Sequence, residues 1–431
     1  MTQFDLPRDL PALAARLPAF LEMAGETAWW KRVDQLDRDA RKSEFQTKIV
    51  LDHHWLEMEL TAQLSILKAH GRLLSEEILP RSMAALLFAG IVAELSAHLT
   101  PTGRVRLAGR LRDALKSTFS GLYLELDLAL SLLHEGFDVT FPDLEGEAAW
   151  DLSFKRDMTA GELECKSLSA DAGRKIHRKD FYRFVDALGP EILKRVKAGS
   201  REVLVVTLDE RLLPDTASQR SLRSSVAQVL GEQATTTLSG PGFQIDREDL
   251  NELHGGKPFT DMHDLYGRCQ DRYGGNCQVA GPLSENGGCL IVVRSKREDD
   301  PSRAQLDALK KASSQLSGTV PGFIAVQHEE VSPQDLAKRP LRRNAAILAM
   351  ALFHTEAGKK ISAIHHSAYD GFHSAHGIIA RPAFVCWNPN FTGWTEGLPF
   401  ASSIPNSEFA RLLDQDPADA EPDDGGRVKY W

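Results

Sequence analysis

The chain lacks most of the features that mark secreted, membrane-bound or motor proteins. It has only five cysteines among 431 residues, and none forms a CxxC pair, which argues against a disulfide scaffold and a zinc finger. No stretch reaches the roughly 18 consecutive apolar residues that a membrane span requires, and the N-terminus has acidic residues and prolines where a signal peptide needs a basic start. No GxxxxGKS or GxxxxGKT loop occurs, so ATP-driven movement would need another subunit. These absences predict a cytoplasmic protein that makes no contact with a membrane.

Charge is unevenly distributed along the sequence. The net charge of −9 at pH 7 would oppose nucleic-acid binding if it were spread over the whole surface. Segment 171–201 is instead locally basic. Its basic residues at helical spacing are Arg174, Lys175, Arg178 and Lys179. The final residues, 413–431, are acidic and contain proline and glycine, which predicts a disordered tail. The sequence therefore offers one basic surface for a nucleic acid despite its negative total.

Hydrophobic periodicity predicts four regions. Leucines at spacings of three and four residues over about 8–100 are typical of amphipathic helices, so residues 1–105 are predicted to form an all-helical N-terminal domain. Residues 106–330 are predicted to form an α/β domain with a mixed central sheet flanked by helices. Within it, 209–288 is rich in Gly, Ser and Thr and is interpreted as mostly insertion or loop. A C-terminal α/β extension, 331–412, precedes the acidic tail.

The predicted α/β domain begins with a long apolar helix at about 107–134. The elements predicted after it are, in order, strands at 137–141, 149–154 and 161–168, a basic helix over about 171–198 and a strand at 202–208. A later strand–helix–strand extension is predicted from a strand at 289–293, a helix near 302–317 and a strand at 322–326. The C-terminal extension is predicted to contain a helix near 333–357 and strands near 360–366 and 377–387.

Two of the predicted strands place three charged residues together. Side chains alternate along a strand, so Asp151 leaves the apolar face of its strand, and Glu164 and Lys166 share one face of theirs. The intervening KRDMTAG suits a turn, and the two strands are therefore predicted to pair as a hairpin. Such a hairpin would bring Asp151 next to Glu164 and Lys166.

A further acidic residue lies on the long apolar helix. Glu125 is flanked at helical spacing by Leu122, Ala129 and Leu132, so its side of the helix is predicted to be buried. A buried carboxylate is costly unless it is paired or binds a metal. Asp127 is the competing candidate, but its neighbours at helical spacing are polar, which indicates a more exposed position.

Neighbouring carboxylates predict a metal site, because they repel strongly unless a cation lies between them. Mg²⁺ takes a small number of carboxylate ligands together with water and phosphate oxygens, and Mn²⁺ could substitute for it. The predicted ligands are Asp151, Glu164, Glu125 and the backbone carbonyl of Cys165. A bound metal can lower the pKa of a water and stabilise charge on a phosphate. Lys166 is placed to orient that water or to neutralise the phosphate.

The order of these residues resembles the PD-(D/E)XK nuclease superfamily. A helix with Glu125, then Asp151, then Glu164-Cys165-Lys166 and a basic helix are similar to the superfamily pattern over about residues 110–210. The resemblance implies a restriction-endonuclease-like core of α-β-β-β-α-β order. It also implies Mg²⁺-dependent hydrolysis of phosphodiester bonds, usually in DNA. By analogy alone, a restriction or bacterial defence nuclease is the setting.

The match departs from the superfamily pattern at the first acidic position. The literal Pro-Asp pair is Pro142-Asp143, which lies far from Glu164 in the sequence, so Asp151 is preferred and Asp143 is kept in reserve. The resemblance also implies that Lys175 or Lys179 helps to position the scissile phosphate. Phosphate contacts from such a basic helix would give affinity without reading sequence.

Two other classes of function stay open. One is a nuclease-like module that binds nucleic acid or a protein without hydrolysing anything. The other is a structural protein that forms homo-oligomers, or binds a partner, through its N-terminal helices. The intact motif residues count against the first. A purely structural surface hairpin, with a salt bridge between Glu164 and Lys166, leaves the predicted burial of Glu125 without an explanation.

Two histidine-containing groups suggest other metals. The first group consists of His365, His366, His373 and His376, which could bind a transition metal or form polar contacts near strand ends. The second consists of His263, Cys269, Cys277 and Cys289, whose irregular spacing disfavours a zinc site.

Overall fold

The computed structural model describes most of the chain. It describes residues 9–41, 53–74, 80–169, 171–215, 217–232, 236–254, 262–284, 287–329, 339–368 and 383–393, with 47, 50, 51, 78, 331, 336 and 398 as isolated positions. The predicted tail, 413–431, lies outside these residues. Within them the chain is mixed α/β, as predicted, but it has two mixed sheets where one central sheet is predicted. No described helix is both long and apolar enough to cross a membrane.

The helices and strands are numbered in chain order. The described helices are α1 (Leu10–Ala24), α2 (Glu26–Ala40), α3 (Trp55–His70), α4 (Pro80–His98), α5 (Pro101–Lys116), α6 (Ser120–His134), α7 (Pro142–Glu145), α8 (Arg178–Asp186), α9 (Gly189–Lys197), α10 (Arg220–Gly231), α11 (Leu250–His254), α12 (Met262–Tyr273), α13 (Pro301–Gln315) and α14 (Arg339–Phe353). A 3₁₀ helix lies at Ala357–Lys360. The described strands are β1 (Asp138–Thr140), β2 (Leu152–Arg156), β3 (Thr159–Leu168), β4 (Arg201–Leu208), β5 (Thr237–Gly240), β6 (Phe243–Asp249), β7 (Gln278–Ala280), β8 (Leu283–Ser284), β9 (Gly287–Ser295), β10 (Gly322–His328), β11 (Ile361–Ala368) and β12 (Ala383–Trp387).

The first four helices pack around aromatic side chains. Phe20 contacts Trp29 and Phe88 edge to face, with ring centroids 5.3 and 6.1 Å apart, a geometry that aromatic rings favour. Asp9 begins α1 as an N-cap, since its Oδ1 accepts the N–H of Ala12 at 2.8 Å and so satisfies one free donor of the first turn. Helices dominate this part of the chain, as the leucine spacing predicts.

Two helices, α5 and α6, occupy the stretch where one long helix is predicted. The chain bends at Ser117, whose Oγ donates to the carbonyl of Asp113 at 3.1 Å. Short hydroxyl side chains that bond to nearby backbone compete with the helical ladder, and Ser117-Thr118 therefore ends α5. Helix α6 is buried around most of its circumference, in agreement with its apolar composition.

The chain divides into two compact units, of which the first comprises Met1–Ala170 and Gln305–Trp431. Its sheet has the strand order β1-β2-β3-β10-β11-β12. Strands β2 and β3 form the predicted hairpin, with Leu152 opposite Leu163. Strand β10 runs parallel to β3 and β11 parallel to β10. Apolar side chains of α6 and the N-terminal helices cover one face, and those of α13 and α14 cover the other.

The second unit is Asp171–Ala304, which lies between β3 and most of α13 in the sequence. Its sheet has the order β5-β6-β4-β9-β7, with β8 paired to β9. Of the two interpretations of 209–288, insertion or loop, the loop is wrong, because this stretch contains α10–α12 and β5–β8. Its Gly, Ser and Thr content favours loops, but apolar side chains such as Val226 and Val229 are fully buried and stabilise regular structure.

The predicted place of the strand at 202–208 in the core is also wrong. The strands predicted at 202–208 and 289–293 correspond to β4 and β9, which pair with each other in the second unit. The neighbour of β3 is β10, and the domain boundary predicted at 330/331 falls between β10 and β11, which pair in one sheet. An apolar run identifies a buried strand, but the pattern does not specify which strand it pairs with.

Candidate metal centre

A buried carboxylate lies where the hairpin of β2 and β3 ends. Asp151 precedes β2 by one residue, and continuation of the ladder that pairs Leu152 with Leu163 places it opposite Glu164. Its Oδ2 accepts the Cys165 N–H at 2.7 Å, and Asp151 is only 9% exposed. The N–H and C=O of one strand residue leave on the same edge. The Cys165 carbonyl therefore faces the side on which Asp151 lies.

A second carboxylate at this end of the hairpin belongs to a residue of α6. Glu125 is completely buried, whereas Asp127, two residues later, is half-buried. The apolar residues at helical spacing around Glu125 explain its position, because they hold that side of α6 against the sheet. The prediction that Glu125 is the buried acid of this helix is confirmed.

Arg110 of α5 lies among these two carboxylates and a third one, that of Asp143. Arg110 donates through Nη1 to Glu125 Oε1 at 3.0 Å and to Asp143 Oδ2 at 2.9 Å, and through Nη2 to Glu125 Oε2 at 2.5 Å. Its Nη1 also lies 4.0 Å from Asp151 Oδ1. Asp143 reaches the site from the short helix α7, which lies between β1 and β2. Glu125, Asp143 and Asp151 are called the acidic cluster below.

Strand β3 carries an ion pair beside the acidic cluster. Lys166 Nζ donates to a carboxylate oxygen of Glu164 and, at 2.9 Å, to Gln315 Oε1. Gln315 is the last residue of α13, and its Nε2 donates to the carbonyl of Ala149 at 2.9 Å. Glu164 is 1% exposed. The lysine is thus positioned by a buried carboxylate on one side and by a glutamine tied to the loop before Asp151 on the other.

Burial raises the pKa of all four carboxyl groups. It raises the pKa of Asp143 to about 6, and burial together with the Asp151 charge raises the pKa of Glu164 to about 7. Burial also raises the pKa of Asp151 and Glu125 against the opposing effect of Arg110. Burial acts to lower the pKa of the Arg110 guanidinium. The negative charges of the acidic cluster have a larger combined effect, so the pKa is raised.

Replacing Glu164 with glutamine is expected to stabilise the metal-free protein at pH 8 but not at pH 5. A carboxyl whose folded pKa is raised binds more protons when folded than when unfolded, so its contribution to stability is lost as pH rises through the folded value. For Glu164 the window runs from the ordinary 4.5 to about 7. The Glu164→Gln variant mimics the protonated form, and its advantage at pH 8 should be on the order of 2 kcal/mol.

Urea unfolding in EDTA at pH 5, 6, 7 and 8 measures this difference directly. Comparison of the two proteins at each pH removes the contribution of other titrating groups, such as the buried histidines. A constant difference between the variant and the wild type across this range would contradict the raised pKa of Glu164.

The side chains of the acidic cluster form a donor set that suits a magnesium ion. One oxygen from each of the three carboxylates lies within 4.8 Å of the others. Oxygens on opposite sides of one Mg²⁺ are roughly 4 Å apart, so small side-chain movements would place all three on one ion. Among the described residues, Asp143 Oδ1 and Glu164 Oε2 are buried and accept no hydrogen bond. Unsatisfied buried oxygens of this kind are expected where a cation binds.

The structure brings together most of the residues predicted for the site. Glu125, Asp151, Glu164 and Lys166 all lie at this end of the hairpin, as does the Cys165 backbone. Asp143, the reserve acid, belongs to the acidic cluster together with Asp151 rather than in place of it.

Two residues of the site were not predicted from the sequence, Arg110 and Gln315. Arg110 lies on the apolar stripe of α5, three residues after Leu107 and four before Ala114, both of which are buried. A charged residue within an apolar stripe is the same signal that identifies Glu125, and it could have been read in the same way. Gln315 has no such signal, because its role depends on the long-range pairing of β3 with β10.

The predicted basic stripe is not a single helical surface. Arg174 and Lys175 precede α8, which begins only at Arg178, so the predicted helix over 171–198 is wrong at its start. Its remainder is divided between α8 and α9, because Gly189-Pro190 begins a new helix. Proline is favoured in the first turn of a helix and breaks its interior. Arg178 pairs with Asp171 at 3.4 Å, and Lys179 is exposed. All four basic residues belong to the second unit.

Of the C-terminal histidine group, His366 pairs with a histidine outside the group, His328, and the described residues of the group form no metal site. His366 Nδ1 lies 3.0 Å from Nε2 of His328, and the two rings stack with centroids 5.3 Å apart. Burial lowers the pKa of His328 to about 4 and that of His366 well below its usual value. His365 is also buried on β11. His373 and His376 lie outside the described residues.

The cysteines also provide no metal site in the described part of the chain. Cys269, Cys277 and Cys289 are buried free thiols, and burial raises the pKa of each. Raised pKa values disfavour the thiolate that a zinc ion requires. Among the described residues, the acidic cluster is the one group of three or more acidic, histidine or cysteine side chains with metal-binding geometry.

Comparison of the chain with models of protein families, with curated proteins and with solved structures found no match.

Proposed function

We propose that this chain is a Mg²⁺-dependent nuclease with a restriction-endonuclease-like core, acting on DNA. The order of elements in the first unit supports the proposal. Helix α6, strands β1 to β3, helix α13 and strand β10 follow the α-β-β-β-α-β order that the PD-(D/E)XK resemblance implies. The second unit is inserted between β3 and most of α13. The position of β10, rather than β4, as the last strand of this order therefore supports the proposal.

One observation carries the proposal: the acidic cluster, with Glu125 completely buried, lies beside a half-buried lysine and its buried partner Glu164 at the end of one hairpin. A salt bridge on a surface hairpin would not need a completely buried Glu125, nor two buried carboxylate oxygens without a hydrogen-bond partner. Buried charges of this density are costly to the fold. Strongly shifted pKa values of this kind are typical of functional sites.

The carboxylates of the acidic cluster, with Glu164 and the Cys165 carbonyl, would hold the metal. When bound, Mg²⁺ lowers the pKa of a water and neutralises charge on a phosphate. Lys166 supplies a positive charge, and its hydrogen bonds to Glu164 and Gln315 fix the position of its ammonium group. A donor held in place before the reaction stabilises developing charge without reorganisation. Lys166 would therefore orient the attacking water or stabilise the pentavalent phosphate.

Contacts with the phosphate backbone are assigned to α13 as well as to the second unit. Lys310 and Lys311 are exposed on α13, about one turn before Gln315. In the proposed core this helix follows β3, the position that the resemblance gives to the helix with a phosphate-positioning residue. Arg174, Lys175, Arg178 and Lys179 are proposed to add affinity that does not depend on base sequence.

Incubation of supercoiled plasmid with the protein tests the proposal. We expect wild type to nick or linearise the plasmid in Mg²⁺ or Mn²⁺ but not in EDTA, and Asp151→Asn to be inactive in either metal. Asp157→Asn is the matched control, because Asp157 is exposed in the turn of the same hairpin and asparagine tolerates its left-handed backbone. Equal cutting by wild type and Asp151→Asn would reject the proposed site.

One observation favours a second candidate, a nuclease-like module that binds nucleic acid without hydrolysis. Arg110 already gives the acidic cluster the positive charge that a metal would supply. If that is its whole role, the cluster is a structural ion-pair network. Salt-dependent DNA binding with no cleavage in any divalent metal would favour this candidate.

A further inference from the structure

The second unit has a polar cleft on one face of its sheet. The apolar part of that face, which includes Val203 and Val205, is covered by α11 and α12. Near the carboxyl ends of β4 and β9, beyond the part that these helices cover, this face forms a cleft of about 380 Å³. Its size falls within the roughly 300–1,000 Å³ that is usual for small-molecule sites.

Pairing in the sheet places three polar side chains in a row across the floor of the cleft. Thr207 of β4 lies opposite Gln244 of β6 on one side and beside Arg294 of β9 on the other. Asp246 lies on the same face of β6, two residues beyond Gln244. Polar side chains on a half-buried sheet face are unusual unless they bind one another or a ligand.

Arg294 forms the positive end of the cleft. Its Nε donates to Thr207 Oγ1 at 3.0 Å and its Nη1 to the Tyr273 carbonyl at 3.2 Å. These bonds use two of the five guanidinium donors and fix the plane of the group. Both acceptors are uncharged. The remaining donors form the planar fork that recognises phosphate and carboxylate groups.

Asp246 forms the negative end. Both of its oxygens accept hydrogen bonds from Gln244 Nε2, at 3.0 and 2.9 Å, and Oδ1 also accepts from Thr237 Oγ1 at 3.0 Å. These donors are uncharged, so they orient the carboxylate without neutralising it. A carboxylate held in this way accepts further hydrogen bonds from N–H groups.

From these features we infer that the cleft binds a nucleotide, with its phosphate on Arg294 and the N–H donors of its base on Asp246. The two charged residues lie on strands separated by β4, and Asp246 is two residues along β6 from the row of Arg294. Their backbones are therefore about 12 Å apart, from about 10 Å across the sheet and about 7 Å along the strands. A nucleotide carries its phosphate and its base edge several ångströms apart. An α-amino acid carries its ammonium and carboxylate on neighbouring atoms and would span this separation poorly.

Binding of mononucleotides to the full-length protein tests the inference, measured by calorimetry in EDTA. We expect at least one of AMP, GMP, CMP and UMP to bind with a Kd below about 1 mM and to raise the unfolding midpoint. Arg294→Gln and Asp246→Asn should each weaken that binding by about tenfold or more. Arg201→Gln is the matched control, because Arg201 is exposed at the opposite end of β4. The unfolding midpoints without nucleotide check that each variant is folded.

Three results would overturn the inference. They are the absence of binding by all four mononucleotides, binding of inorganic phosphate or glycine as tight as that of the best nucleotide, and unchanged nucleotide binding in both cleft variants. The EDTA removes divalent metal, so neither success nor failure depends on the proposed nuclease site.

Discussion

Replacing Lys166 with methionine is expected to lower the rate of plasmid cleavage by on the order of 100- to 1,000-fold, the loss that follows removal of one preorganised stabilising group. Methionine keeps most of the side-chain length but cannot donate a hydrogen bond to a phosphate or a water. DNA binding in EDTA should change little, because one lysine among several basic residues contributes modestly to affinity. The measurements are cleavage rates in Mg²⁺ and DNA binding by fluorescence anisotropy.

The Lys166→Met variant also leaves Glu164 buried without its cation, so its unfolding midpoint must be measured beside its activity. Lys155→Met is the matched control, because Lys155 is exposed on β2 of the same hairpin, and it should cleave at the wild-type rate. Cleavage by a folded Lys166→Met protein within about twofold of wild type would remove Lys166 from the reaction.

Local pattern was sufficient to predict much of the site. Glu125 could be predicted because a carboxylate inside an apolar helical stripe has few explanations, and the approach of Asp151 to Glu164 followed from a hairpin with a short turn. Asp143 is disfavoured as the first acidic residue at the level of sequence because it lies far from Glu164 along the chain. The short helix α7, which lies between β1 and β2, brings Asp143 into the site in the folded chain.

Long-range pairing could not be predicted in the same way. Strands β3 and β10 are separated in sequence by the whole second unit, and each has an apolar pattern that would suit several partners. The apolar run of β4 follows β3 more closely, so the order along the sequence predicts it as the next strand of the core. Gln315 depends on the true pairing, because α13 leads into β10 and positions it beside Lys166.

Replacing Arg110 with methionine is expected to lower the free energy of unfolding by on the order of 3–5 kcal/mol at pH 8 in EDTA. Breaking a buried ion pair by removing one partner leaves an uncompensated buried charge, and Glu125, which is completely buried, would lose both of its hydrogen bonds from the guanidinium. The loss should be smaller at pH 5. Protonation of the acidic cluster then removes the repulsion that Arg110 offsets, since burial has already raised the pKa of all three carboxyls.

Arg112→Met is the matched control, because Arg112 is exposed two residues later on α5, and its effect should stay within about 0.5 kcal/mol. Urea unfolding at both pH values, with and without Mg²⁺, gives the four comparisons needed. Mg²⁺ should raise the stability of Arg110→Met more than that of wild type, since the guanidinium and the metal compete for the same oxygens. A destabilised variant that Mg²⁺ does not rescue would mean that the acidic cluster is a structural ion-pair network, with Arg110 as its natural counter-ion.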